Sequence, residues 1–171
     1  MRAGLPLLSL FLLCGCASEP APEGPEPAWE VVINEFQADN VSTLADESGE
    51  FDDWIELFNP TDEPADLTGH YLTDDLQAPT AWRFPAGTMI DALGYLVVWA
   101  DGAPDGTLHT SFSLSAGGEQ IGLFAPLAWD GVQIDAGEYE QQAADQSMAR
   151  WPDGALTWQA DPSPTPGRAN D

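Results

Sequence analysis

Apolar and polar residues alternate across 54–58, where Ile55 and Leu57 fall on one side and Trp54, Glu56 and Phe58 on the other. A period of two predicts a β-strand with a core-facing side. The next residues read as turn, turn, strand. In Asn59-Pro60-Thr61-Asp62, proline pre-sets φ at the second position and asparagine can close an Asx turn at the first. In Asp66-Leu67-Thr68-Gly69 the glycine is free to take positive φ, and residues 70–73 start the following strand.

The same reading extends along the chain. Residues 29–36, WEVVINEF, form a β-branched first strand. Residues 82–84 make a short strand stopped by Pro85, and 94–100, GYLVVWA, is the most apolar run, predicted as a central strand buried on both faces. Residues 109–114 and 119–124 flank Ala116-Gly117-Gly118 and read as a hairpin. A weaker strand follows at 132–135, and 149–151 pairs with 157–159 around Asp153-Gly154. Only 139–148 could pass for a helix, and it has no apolar face. Short strands with turn signals roughly every ten residues predict an all-β sandwich. The uneven spacing of the four Asp-Gly pairs excludes a repeat architecture.

The N-terminus has a different character. Arg2 and the apolar run 3–13, too short to span a bilayer, precede Leu13-Cys14-Gly15-Cys16. That tetrapeptide resembles a bacterial lipobox, with Cys14 a departure at the second position. The expected organisation is a lipoprotein signal peptide over 1–15, a lipid-accepting Cys16 with a Pro/Glu-rich linker over 16–28, and a globular domain over 29–171. Cleavage after Ala17, which would release a secreted protein, is the alternative. Both cysteines precede the domain, so its core, not a disulfide, must hold it.

Charge narrows the partners. The formal net charge is −25; all 29 acidic residues follow Cys16, and lysine is absent. Such a surface repels phosphate backbones, so nucleic acid is excluded as a partner. It suits solubility or divalent cations.

Taken in order, VVINEFQADN, DWIELFNPTDEPADLTGHYLTDD, WRFPAGTMI, GYLVVWADG, LHTSFSLSAGGEQIGLF, SMARWPDG and PSPTPGRAN resemble the lamin tail domain, over about residues 31–170. The resemblance implies an immunoglobulin-like β-sandwich of the kind found in nuclear lamins and in secreted bacterial proteins. It implies no reaction. His70 stands where the pattern more often has an aromatic or aliphatic residue, and the basic surface of the DNA-interacting lamin version has no counterpart.

Candidate chemistry concentrates in the acidic loop 39–53. Asp46, Glu47, Glu50, Asp52 and Asp53 supply hard oxygen ligands of the type calcium takes, without EF-hand spacing. His70 and His109 lack a Gly-x-Ser-x-Gly elbow around any serine, so no catalytic residue is assigned. Arg83 is expected to pair with Glu56 or Glu35. Trp54, Trp82 and Trp99 read as core; Trp29, Trp129, Trp151 and Trp158 sit at edges where a sugar-binding platform could form. The expected function is a non-enzymatic lipoprotein module, anchored to a bacterial envelope membrane through its lipid and facing an envelope protein or glycan. Ala17, not aspartate, after Cys16 points to the outer membrane. No cofactor beyond possible calcium is expected. The competing functions are a calcium-dependent hydrolase using loop 39–53 and a carbohydrate-binding module.

Overall fold

The structure is a computed structural model that describes residues 26–103 and 106–170. The predicted signal peptide, Cys16 and most of the linker lie outside the described residues. Eleven strands follow one another: β1 (Val32–Gln37), β2 (Trp54–Phe58), β3 (Ala65–Asp66), β4 (Tyr71–Thr73), β5 (Trp82–Arg83), β6 (Met89–Ile90), β7 (Tyr95–Trp99), β8 (Gly118–Phe124), β9 (Gln133–Glu140), β10 (Ser147–Arg150) and β11 (Trp158–Asp161). They form a five-stranded sheet ordered β11-β10-β1-β2-β7, a four-stranded sheet β5-β4-β8-β9 and a small ribbon β3-β6. The two larger sheets enclose one core. Ile33, Phe36, Ile55, Leu57 and Val98 come from the first, and Leu72, Ile121, Leu123 and Tyr139 from the second. The all-β, immunoglobulin-like sandwich expected from the pattern is the fold observed.

The turns after β2 form as their residues dictate. Asn59 Oδ1 accepts from the Thr61 amide at 3.1 Å, and its Nδ2 donates to the carbonyls of Glu63 and Asp91. Gly69 takes φ +79°, and Asp66 accepts from the Thr68 amide at 2.8 Å. Gly69 has a second constraint: a Cβ there would lie 2.9 Å from Nη2 of Arg83.

In β2 the alternation holds but one side is not solvated. All five residues are buried. A bulge between Ile33 and Glu35 in β1 re-phases that strand, so Ile33 and Phe36 reach the core while Asn34, Glu35 and Gln37 face outward beside Trp54 and Glu56. The C-terminal segment 162–170 then lies across this outer face as a strap. It is held by side-chain hydrogen bonds, with no strand pairing of its own.

Three expectations are corrected. Strand β7 is an edge, not a central strand, and four of its five residues are only half-buried. Its apolar character serves lateral packing, as where Tyr95 stacks on Phe58 at 4.9 Å. The hairpin of 109–114 with 119–124 does not form, because β8 pairs with β4 and β9. Residues 109–113 instead touch the β7 side through single bridges, Trp99 to His109 and Asp101 to Ser113. Arg83 is exposed and, among the described residues, pairs with neither Glu35 nor Glu56. An arginine that does pair within the sandwich is Arg150, with Asp135, at 2.8 Å to both carboxylate oxygens. Residues 139–148 contain no helix, in keeping with their lack of an apolar face.

Candidate functional site

Loop 39–53 joins the end of β1 to the start of β2 and is built around Asn40. The buried Asn40 amide donates to the carbonyls of Leu44 and Asp52, each at 2.7 Å, and its oxygen accepts from the Thr43 amide at 3.0 Å. One asparagine therefore closes both ends of the loop, the local role for which this short amide is suited. Asp145 fixes the outer side, accepting from the amides of Val41 and Ser42 at 2.8 Å and from the Ser42 hydroxyl at 2.6 Å. Those bonds, the Ser42 hydroxyl foremost, hold its carboxyl down at about 2.

Within the loop, residues 46–50 form a tight turn. Asp46 Oδ1 accepts from the amides of Ser48 (2.9 Å) and Glu50 (2.7 Å), and Gly49 takes φ +86°. This turn places one carboxylate oxygen each of Asp46, Glu50 and Asp52 within 4.8 Å of one another. Burial and then the charges of Asp101, Asp46 and Glu50 raise the Asp52 carboxyl above its ordinary range. Asp53 takes no part. Its Oδ1 turns inward to the Asn40 amide at 3.1 Å, and burial pushes it up to about 6.

The opposite wall comes from residues far away in sequence. Asp101 Oδ2 lies 2.7 Å from His109 Nδ1, and His109 Nε2 lies 3.1 Å from Glu47 Oε1. Asp46, Glu47 and His109 form a second close group. The His109 side chain is 5 % exposed, Asp101 10 % and Glu47 64 %, so a sequestered imidazole–carboxylate pair faces an exposed surface acid. Burial alone would lower the His109 pKa; the hydrogen bond and charge of Asp101, joined by Glu47, outweigh it and the net shift is upward. The ring is tightly housed. A Cβ on Gly106 would sit 2.1 Å from its Cδ2. Together Asp46, Glu47, Ser48, Glu50, Asp52, Asp101 and His109 line a cleft of about 260 Å³.

Of the residues singled out in the sequence, Asp46, Glu47, Glu50 and Asp52 thus converge and Asp53 does not. Asp101 and His109 were not foreseen as part of the cleft. The carboxylate oxygens suit a hard divalent cation, while His109, with its far nitrogen held by Asp101, is oriented as metal-ligating histidines are. Two of the edge tryptophans, Trp29 and Trp129, do not lie side by side as a flat platform. Trp29 meets Trp129 edge-on at 6.2 Å and 86°, and Trp158 packs against Phe36 and beneath the Arg150 guanidinium. Trp54 is fully buried on the outer side of β2, Trp82 packs in the core, and Trp99 is half-buried. His70 is buried, accepts the Ala28 amide at 3.0 Å on Nε2, and is held below its usual pKa by desolvation.

Two antiparallel sheets around one core, with the cleft built on loops at the rim, define an immunoglobulin-like module of the binding or structural kind. The chain belongs to the Lamin Tail Domain family, whose sequence model matches residues 25–141. Compared with curated proteins, the chain finds no significant match. The fold runs past the matched region, since β10, β11 and the strap all follow residue 141.

Proposed function

We propose that this chain is a non-enzymatic envelope lipoprotein. Lipid on Cys16 holds it at a bacterial membrane, the outer one by the criterion of Ala17, and the lamin tail domain is displayed for adhesion, envelope organisation or ligand binding. The observation that carries this reading is the order Leu13-Cys14-Gly15-Cys16, Pro/Glu-rich segment, then a matched binding-type fold. The acidic surface favours an envelope protein or a neutral glycan over nucleic acid or anionic headgroups. Labelled-palmitate incorporation and membrane fractionation of wild type and Cys16→Ser test the anchor. Loss of label and release of the variant are expected; unchanged membrane association sinks the idea.

A second reading rests on the cleft. The convergence of Asp46, Glu50 and Asp52, backed by Asp101 and His109, supports calcium or another divalent cation as a structural ligand that pins loop 39–53. Binding at about 100-fold over Kd adds about 2.7 kcal/mol to stability, which is a Tm rise of about 5–10 °C for a domain of this size. A cation titration followed by melting is the direct measurement, with Asp46→Asn and Asp52→Asn as variants. No rise removes the metal reading; turnover abolished in both variants with the fold intact would favour a hydrolase instead.

A further inference from the structure

Glu35 and Glu56 stand directly opposite each other across β1 and β2, both fully buried. Neither has a cationic partner among the described residues. Arg150, on β10 beside Ser147, directs its guanidinium to Asp135 and to the Ala155 carbonyl, and Arg168 is exposed on the strap. Their partners are neutral donors. Ser147 Oγ donates to Glu35 at 2.5 Å, the Thr165 amide lies 3.1 and 3.2 Å from its two oxygens, Asn34 Nδ2 donates to Glu56 at 3.2 Å, and the Gly167 amide donates to Glu56 at 2.5 Å. The two glutamates therefore grip the strap at two backbone points. The other charged or titratable groups around them are also acids or neutral. Asp161 on β11 acts on Glu35, and Asp153, bonded to the Tyr95 hydroxyl of β7, acts on Glu56.

Hydrogen-bond geometry places a proton on this pair. Asn170 Nδ2 donates to the Arg150 carbonyl at 2.7 Å, which orients Asn170 Oδ1 toward the Thr165 hydroxyl at 2.8 Å. The same hydroxyl lies 3.1 Å from Glu35 Oε2. One hydroxyl proton cannot serve two acceptors, so both contacts are satisfied when Glu35 carries a proton and donates to Thr165 Oγ1. Two carboxyls buried side by side without a cation cannot both ionise without large electrostatic repulsion.

We propose that segment 162–170 is a pH-dependent latch, closed over the outer face of the five-stranded sheet while the Glu35–Glu56 pair holds a proton and released when both ionise. Opening returns the two carboxylates to water, which favours the doubly charged form. It also uncovers the outer side of β1, β2 and β10 and removes the Pro162 and Asn170 wall of the adjoining hollow of about 160 Å³ beside Trp151, Gln159 and Ala160. Because the strap makes no strand pairing, it can leave without breaking either sheet. Burial, the largest influence on both groups, raises both carboxyls, which gives the same sign: closed at low pH, open at high pH.

Hydrogen–deuterium exchange on the full chain tests the latch, at about pH 5.5 and about pH 8.5 with intrinsic rates corrected. The amides of Thr165, Gly167 and Asn170 are expected to lose about tenfold or more of their protection at the higher pH, while β1 and β2 keep theirs. In Glu56→Gln the loss should shrink or vanish. A strap whose protection does not change, or falls only in step with β1 and β2, overturns the proposal. The wild-type comparison alone decides if the variant fails to fold. Thr165→Val, which removes the hydroxyl held by Glu35, should open the strap at both pH values; a strap equally protected in that variant also counts against the latch.

Discussion

Glu56→Gln should flatten the dependence of stability on pH. Glu56 is fully buried, and desolvation, only partly offset by the Gly167 and Asn34 hydrogen bonds, pushes its carboxyl up from 4.5 to about 7. Below about 4.5 the folded and unfolded chains both hold the proton, and the full stabilising contribution is present. As pH rises the unfolded chain releases its proton first, so stability falls until folded Glu56 ionises near 7 and is flat above that. A difference of about 2.5 pKa units at 1.36 kcal/mol each amounts to about 3 kcal/mol. Asp53, raised from 3.8 to about 6, adds a decline of the same sign between those values. Asp145 acts oppositely: its stabilisation is present above 3.8 and is lost as pH falls toward about 2. Stability should therefore peak near pH 4–5 and decline toward pH 8.

Thermal melting across this range reads the effect. At about 2–4 °C per kcal/mol, the Glu56 share of the decline is about 6–12 °C. Glutamine mimics the neutral acid but has one acceptor oxygen for the two donors, Asn34 Nδ2 and the Gly167 amide, and should start about 1–2 kcal/mol lower at pH 5. The slope is the discriminating quantity. General repulsion among the surface acids would survive in the variant, whereas the Glu56 share would not. A wild-type Tm that is level from pH 5 to pH 8, or a variant that keeps the whole decline, refutes the reasoning.

Gly106→Ala drives a methyl into the buried His109 ring, which Asp101 prevents from moving aside, so it should destabilise by about 1–3 kcal/mol and shift the His109 imidazole resonances in NMR. Asn40→Ala leaves the Leu44 and Asp52 carbonyls and the Thr43 amide without their partner; a loss of about 2–3 kcal/mol in urea unfolding is expected, with faster proteolysis confined to loop 39–53. A chain ending at residue 141, the limit of the family match, loses β10 from beside β1 together with Arg150, the partner of Asp135. It should show no cooperative unfolding transition by circular dichroism, and a sharp transition near the full-length midpoint would contradict this.

The turns were legible because their causes are local. Asn59 and Gly69 act within a few residues, so a sequence window contains both the residue and the group it bonds. Strand position was not. The run 95–99 reports that β7 needs apolar neighbours, and an edge strand flanked by Phe58 on one side and His109 on the other meets that need as a central strand would. The Ala116-Gly117-Gly118 turn does form, with Gly118 at φ +101° and its amide bonded to Ser115, but a turn does not choose the pairing partner. Half of the cleft was legible for the same reason. Asp46, Glu47, Glu50 and Asp52 are neighbours in sequence, whereas Asp101 and His109 arrive from beyond β7 and carry no local mark except the close glycine at 106.

The strongest sequence signal, β2, concealed a division among the acids. Alternation put Glu56 on the side opposite Ile55 and Leu57, and a strongly acidic chain makes one more glutamate unremarkable by composition. Two features remote from β2 bury it. The bulge in β1 brings Glu35 to the same side, and the strap closes over both. Carboxyls at the rim, such as Glu47 and Glu50, remain exposed to solvent, while the Glu35–Glu56 pair is set by its desolvation and by the neutral donors around it. The same residue type therefore stands both at an exposed rim and in a desolvated interior pair, and only the tertiary fold separates the two.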